Sequence, residues 1–554
     1  MRDGHLRKQL SRFGRKPARQ NATKGWPPVG GDPVELSTDR RAADLVPQGR
    51  RRPVFRLIAD GRPARFVTAA GRCVGVPGVV WWRMNLNDEP LCIEGPTSMS
   101  DINRRRFLDA TRTATLGLAG GFTILANPAS ARATPANDRL VLAMIGVGGG
   151  RGHSLALGFL DRGDCEIAYL CDVNRQILPG RVEAYAARQG GKRPKSTQDF
   201  REMLGDASID AAVVATPPHW HALATILCCR AGKDVYCEKP QSHNCWEGRQ
   251  AVKAARKYDR IVQIGTQNRS APYNGAAKRY LDEGKLGRVQ LCRVFEQCLV
   301  PDFQWGADVD PPETLDWDMW NGPAPARRYH PQIHTQWRQL WDYAGGNMSY
   351  QGIHQLDLAR WLMGVDYPTG VYCTGRRFEP RGDAETPDTQ LAVFDFPEIV
   401  MTYEQTLYTP YMLRNDNEVR NGDLFPYWPQ NATRIEIYGE NGVMYMGRMG
   451  GGWQVFVRTK DRQPVVKDQM YGRFPDADHK ADFVESVKSR KRPNADIEEG
   501  HRSMLLVHYA NISCRLGGRK LEIDPQTEQI LDDPEAMRLF TREYRAPWVV
   551  EEVA

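Results

Sequence analysis

A chain of 554 residues, 41% of them hydrophobic and fourteen of them tryptophan, exceeds one ordinary core and predicts two folded domains, with no stretch approaching an uninterrupted membrane span. The net charge of +8 does not point to nucleic acid, because residues 1–98 hold eighteen Lys and Arg against nine Asp and Glu and leave the remainder near neutral. Twelve cysteines show neither a paired zinc spacing nor a regular disulfide framework, and Cys228–Cys229 read as small buried thiols on a helix.

Residues 1–98 lack sustained periodicity and are rich in Arg, Pro and Gly, which reads as a non-native or disordered extension. Met99 then opens a basic stretch, Arg104-Arg105-Arg106, before Phe107-Leu108, a weakly apolar run at 114–126, and the small-residue sites Ala129-Ser130-Ala131 and Ala131-Arg132-Ala133. Basic start, apolar middle and small-residue cleavage site make 99–133 a signal peptide, and Arg104-Arg105 resembles the twin-arginine type. The expectation is a start at Met99 and delivery to the periplasm or beyond, with no membrane span in the mature protein.

Leu140–Ile145 is a short apolar run of the kind that forms a parallel strand buried on both faces. It leads into Gly146-Val147-Gly148-Gly149-Gly150-Arg151-Gly152 and a helix from about His153. The tight turn, the close backbone approach and the free N–H groups of the helix start suit a pyrophosphate. The spacing is G-x-G-x-x-x-G, since the strict motif would place its third glycine at Arg151. The next strand, 166–171, ends at Asp172, about twenty residues on, where an acid binds the adenosine ribose. Together these predict NAD as cofactor. Asp172 disfavours a 2′-phosphate while nearby Arg175 weakens that preference, so NADP stays open.

Further along, 175–188 reads as a helix, Thr197 as the N-cap of a short helix, and 209–215 as a buried strand ending at Thr216-Pro217-Pro218-His219-Trp220-His221. Helix 222–230, strand 234–237, helix 245–258 and strand 261–265 follow. This βαβ alternation predicts a doubly wound parallel sheet over 137–266. Beyond it, 267–548 changes texture. Strand-like runs at 289–296, 390–396, 399–406, 433–438 and 453–458, with helices at 478–489 and 500–516, predict an α+β domain on a large, mainly antiparallel sheet.

Ile145–Gly152, Cys171-Asp172-Val173, Thr216–His221, Cys237-Glu238-Lys239-Pro240, Gly265–Arg269, Trp317–Pro323, Gly352–Asp357 and Gly500–Ser503 together resemble the Gfo/Idh/MocA oxidoreductases, in a secreted bacterial branch, from Asn137 to Trp548. The resemblance implies a Rossmann domain followed by an open-faced sheet domain, a sugar, cyclitol or polyol as substrate, and a homodimer or homotetramer. It makes Lys239 the proton acceptor and His354 a proton relay or hydroxyl ligand, and it sets Thr216, Pro217 and His219 against the cofactor. A lysine just past a parallel strand lies where such sheets meet ligands, and burial beside a cationic nicotinamide moves its pKa toward neutrality. Where relatives often carry an aspartate four residues before the histidine, this chain has Tyr350, a poorer base at neutral pH.

The candidate catalytic set is thus Lys239, His354, Tyr350 and Asp357. The candidate cofactor set is Gly146, Gly148, Gly149, Gly150, Arg151, Gly152, Asp172, Thr216, Pro217, His219, Glu238 and Lys239. Trp337, Arg338 and His354 are candidate substrate ligands, with Trp341 a possible second sugar platform. His219 and His221 have the look of a metal pair but no third ligand nearby, so no metal is expected. The leading expectation is an exported NAD(P)-dependent oxidoreductase acting on a secondary hydroxyl of a sugar or polyol. Redox-assisted glycoside cleavage and non-catalytic sugar binding are the alternatives. Ordinary glycoside hydrolysis is disfavoured, because no acidic pair stands out.

Overall fold

A computed structural model describes residues 139–300, 304–378 and 382–554. Residues 1–98, read as an extension, and 99–133, read as a signal peptide, lie outside the described residues. The first sheet holds β1 (Leu140–Ile145), β2 (Cys165–Cys171), β3 (Lys195–Thr197), β4 (Ala211–Val214), β5 (Asp234–Cys237) and β6 (Val262–Ile264). All its pairs are parallel, in the order β3-β2-β1-β4-β5-β6. The strand order therefore reverses between β1 and β4, which opens a crevice beyond their carboxyl ends.

The apolar runs are explained by two-sided burial. Leu142, Met144, Ile167 and Val213 face α1 (Gly150–Leu160) and α2 (Leu178–Arg188). Ala143, Ile145, Ala212 and Val214 face α3 (His221–Arg230) and α4 (Cys245–Lys257) on the other side. Asn244 caps α4, accepting the Glu247 N–H at 2.9 Å and donating to the Glu247 carboxylate at 3.1 Å. The expected cap at Thr197 is corrected. Thr197 ends β3, and Asp199 caps the 3₁₀ turn Phe200–Met203 by accepting from Arg201 N at 2.9 Å.

Nine strands make the second sheet: β7 (Val289–Gln297), β8 (Gly370–Arg376), β9 (Thr389–Asp395), β10 (Val400–Thr406), β11 (Arg434–Gly439), β12 (Gly442–Gly447), β13 (Trp453–Arg458), β14 (Pro464–Met470) and β15 (Leu521–Glu522). They run β14-β13-β12-β11-β7-β10-β9-β8-β15, with β7 and β10 as the one parallel pair. One face is covered by α5 (Pro272–Asp282), α6 (Ile353–Met363) and α8 (Ile497–Arg515). On the other face Tyr372, Leu391 and Val400 stay exposed. The two layers are not separate along the chain. Phe483 and Val484 of α7 (Asp476–Ser489) fill one side of the parallel sheet, while Trp548 and Val550 fill the other.

A buried ionic knot ties the layers together. Arg269, just past β6, grips both Asp357 oxygens from Nε at 2.9 and 3.0 Å. Ser503 of α8 donates to Asp357 at 2.7 Å and accepts from Arg360 Nε at 2.9 Å. Arg360 also pairs with Glu499. Asp357 and Arg360 belong to α6, so this knot fixes the helix that carries His354.

Candidate active site

Between the layers lies a cleft of about 740 Å³, bounded by the glycine turn, the ends of β2, β4 and β5, and the start of α6. That is the size range of small-molecule and cofactor sites. Gly146 has φ +87°, and a Cβ there would come within 2.9 Å of the Ala215 backbone. A Cβ on Gly152 would stand 1.9 Å from the Gly146 carbonyl oxygen, so the turn can close on the helix only with glycine there. Gly149 and Gly150 face open space, where a phosphate would approach the unpaired first-turn N–H groups of α1.

The polar groups around this turn fit a dinucleotide. Thr216 Oγ1 is buried at the cleft wall with no protein partner. Asp172 accepts from Gly148 N at 2.6 Å and Asn174 N at 3.0 Å, so it shapes the turn as well as facing the cleft. Burial raises its pKa despite those bonds. Arg151 and Glu238 pair at 2.7 Å across the cleft wall, and Asp476 of α7 holds the other side of the guanidinium at 3.1 Å. A Gly152→Ala variant is expected to lose roughly tenfold or more in NADH affinity by fluorescence titration, since overpacking at this contact costs about 1–3 kcal/mol.

Lys239 follows β5, with a cis bond to Pro240. Its ammonium donates to the Tyr350 carbonyl and lies 3.9 Å from the centre of the Tyr350 ring. Tyr350 sits in a π-helical turn, Met348–Gly352, that leads directly into α6. Such wide turns gather at functional sites because they re-aim backbone and side chains. Burial lowers the Lys239 pKa to about 7; Glu238 opposes the shift, and Arg448, Arg151 and Arg338 add to it. His354 lines the same cleft with Nδ1 buried and unpartnered. Its pKa falls well below the ordinary histidine value, first through burial and then through Arg448 and Lys239, so the ring is neutral at physiological pH.

Trp337 and Arg338 complete one wall. The Trp337 ring stands edge-on to Tyr350 at 5.8 Å, and the Arg338 guanidinium lies 4.6 Å from the Tyr350 centroid. Three candidates do not line the cleft. His219 is wholly buried behind the wall, hydrogen-bonded to the Trp320 carbonyl at 2.8 Å, and burial takes its pKa to about 3; its neighbour Trp220 lines the cleft instead. Asp357 is wholly buried in the ionic knot and does not line the cleft. Trp341 lies outside too, under the Arg515 guanidinium. His221 spans the carbonyls of Thr216 and Pro240 at 2.7 and 2.6 Å, linking the two loops that carry the site. Among the described residues no group of three His, Cys, Asp or Glu is placed to hold a metal.

Sequence reasoning missed Arg420, Arg448, Met449 and Phe474, which also line the cleft. The only signal near them is the glycine run Gly450-Gly451-Gly452, all at positive φ, which turns the chain from β12 to β13.

Fold and cleft define a dinucleotide-binding oxidoreductase with a sheet-built second layer. Residues 140–266 match the NAD-binding Rossmann model of the Gfo/Idh/MocA oxidoreductases, and 304–417 with 430–550 match the model of their C-terminal α/β domain. The chain belongs to this family. It is 25% identical over 411 residues to an inositol 2-dehydrogenase of Rubrobacter xylanophilus, covering 73% of this chain and 97% of the relative. Oxidoreductase YrbE of Bacillus subtilis is 27% identical over 246 residues, 44% of this chain and 58% of its own length. A levoglucosan dehydrogenase of Pseudarthrobacter phenanthrenivorans is 29% identical over 184 residues, 33% of this chain. The chain spans only 58% and 40% of the length of the latter two relatives. Among solved structures, an aldose-aldose oxidoreductase of Caulobacter crescentus, complexed with glycerol, shares the fold at TM-score 0.51 and 19% identity, covering 70% of this chain and all of that one. A levoglucosan dehydrogenase in complex with NADH and levoglucosan aligns at TM-score 0.51 and 21% identity, covering 69% of this chain and 99% of that one.

Proposed function

We propose that this protein is an NAD-dependent dehydrogenase that oxidises a secondary hydroxyl of a sugar or polyol, with Lys239 as proton acceptor. The observation that carries the reading is the meeting of Lys239 and a neutral His354 in the cleft that also contains the glycine turn. Gly148–Gly152, Asp172 and Thr216 would hold the dinucleotide, which when bound supplies a two-electron acceptor. Lys239, with a pKa near 7, takes the hydroxyl proton in its unprotonated form. His354 positions the hydroxyl through its unpaired nitrogen; being uncharged, it adds no positive charge beside Lys239. Trp337 and Tyr350 offer aromatic surface to a sugar ring. The names of the relatives, inositol and levoglucosan dehydrogenases, support this substrate class. The test is a panel of sugars and polyols given to the purified protein with NAD. Appearance of reduced nicotinamide is expected, and failure to bind NADH or to reduce NAD with any member would overturn the reading.

Two further parts of the proposal concern place and assembly. The 99–133 segment supports export by the twin-arginine route, which carries folded proteins and so suits an enzyme that must bring its cofactor. N-terminal sequencing of the native mature protein should begin near residue 134. The exposed sheet face supports a homo-oligomer. Tyr372, Leu391 and Val400 project from the same side of adjacent strands, given the registers Thr374↔Leu391 and Val400↔Asp395. Light scattering should give at least a dimer, and Leu391→Glu should shift it toward monomer.

A further inference from the structure

The cleft is more cationic than a neutral sugar and a dinucleotide require. Arg151, Lys239, Arg338, Arg420 and Arg448 line it, against Asp172 and Glu238. Arg151 is already neutralised by Glu238 and Asp476. Arg338 donates to the Thr335 carbonyl at 3.1 Å, and Arg420 packs on the Phe474 ring at 4.1 Å with the Asp476 carboxylate near enough for its charge to act; among the described residues neither forms an ion pair with a carboxylate.

Arg448 is the most telling of the three. It is only 8% exposed, and among the described residues its buried Nε has no hydrogen-bond partner and Nη1 meets the Met449 sulfur. The neighbouring acid, Glu296, is committed to Arg414 at 3.1 Å and Gln355 at 2.6 Å. Burial takes the Arg448 pKa down to about 10, so the group is still charged at neutral pH. A buried guanidinium without a partner is costly, and folds retain such groups where a ligand supplies the missing charge. Arg448 also stands close enough to Lys239 and His354 for its charge to act on both. The open position is therefore beside the proton-transfer pair.

We propose that the substrate is an acidic sugar, a uronate or related carboxylated carbohydrate, whose carboxylate is held by the free edge of Arg448 with Arg420 and Arg338 as flanking charges. A planar guanidinium edge matches a carboxylate in two parallel hydrogen bonds; it can hold a phosphate in the same way, and the phosphate ester in the test separates the two. This rests on the carbohydrate reading above and deepens it.

The test is calorimetric binding to the NADH-loaded protein of glucuronate and galacturonate, of their neutral parents glucose and galactose, and of glucose 6-phosphate. A uronate is expected to bind at least about tenfold more tightly than its neutral parent. Arg448→Met should abolish that preference while leaving NADH affinity within a few-fold. Arg448→Lys, which keeps charge but loses the fork, should retain only part of it. Because Arg448→Met removes an unpaired buried charge, its melting temperature should hold or rise, so loss of preference cannot be ascribed to misfolding. Equal binding of neutral and acidic sugars, tighter binding of the phosphate ester, or a loss of NADH affinity as large as the loss of uronate affinity would each overturn the proposal while leaving the dehydrogenase reading intact. Binding of NADH with no carbohydrate bound at all would overturn the carbohydrate reading and the proposal with it.

Discussion

Replacing Lys239 by methionine is expected to lower the rate of alcohol oxidation by about 10²–10⁴-fold, the usual contribution of a positioned acid–base group, with NADH affinity largely kept. The reason lies in the Lys239 environment. Lys239 is recessed under the Tyr350 ring, its ammonium bonded to a backbone carbonyl, with the charges of Arg448, Arg151 and Arg338 lowering its pKa and Glu238 opposing them. With a pKa of about 7 the wild-type rate should climb as pH rises through neutrality, because only the unprotonated amine accepts a proton. Lys239→Arg, charged throughout, should be slow and lack that limb. The same shift predicts a signature in stability. Between about pH 7 and the ordinary lysine value of 10.5 the unfolded chain binds a proton that the folded chain does not, so the lysine's contribution becomes more favourable as pH rises across that window. Below it the buried ammonium is a constant cost. Lys239→Met should therefore raise the melting temperature at pH 6, by an amount that shrinks toward pH 10. A methionine variant that oxidises substrate within a few-fold of wild type would remove Lys239 from the mechanism.

How much of this was legible in the sequence depends on what each residue answers to. β1, β5 and β13 were readable to the residue, since an apolar run bounded by Gly, Asp or Pro is set by local burial. β14 was not, because all seven of its residues are exposed and carry no burial pattern. β12 was lost among glycines and methionines that alternate only when paired with β11 and β13. The glycine turn and Lys239 were legible because backbone approach and position after a strand are written locally. Arg448 and Arg420 were not, because their meaning is the absence of a partner, and absence shows only in three dimensions. Asp357 and His219 are the reverse case, read as site residues but not lining the cleft. His219 is one residue from the cleft residue Trp220 along a 3₁₀ turn and faces another way, whereas Asp357, three residues from His354 and so on a neighbouring face of the helix, is drawn off the cleft by Arg269 and Ser503.

Asp357 supplies the second large effect. Gly265–Arg269, Gly352–Asp357 and Gly500–Ser503, three motifs that resemble family signatures, contribute Arg269, Asp357 and Ser503 to a single buried network. Neutralising one member strands its partner. Asp357→Leu is expected to destabilise the protein by about 3–5 kcal/mol in urea melts, because Arg269, 3% exposed on its side chain, keeps only Glu499 at 3.3 Å. The double variant Arg269→Met with Asp357→Leu should recover most of that loss, since apolar replacement of a whole buried pair is often neutral. A structural role and a catalytic one separate in the kinetics. If Asp357 only anchors α6, Asp357→Asn assayed per folded molecule should weaken substrate binding through a loosened His354 while kcat holds within a few-fold. If it relayed protons, kcat itself would collapse by about 10² or more and the double variant would not restore it. The geometry favours the first outcome, because both carboxylate oxygens are occupied by Arg269 and Ser503 and neither faces the cleft.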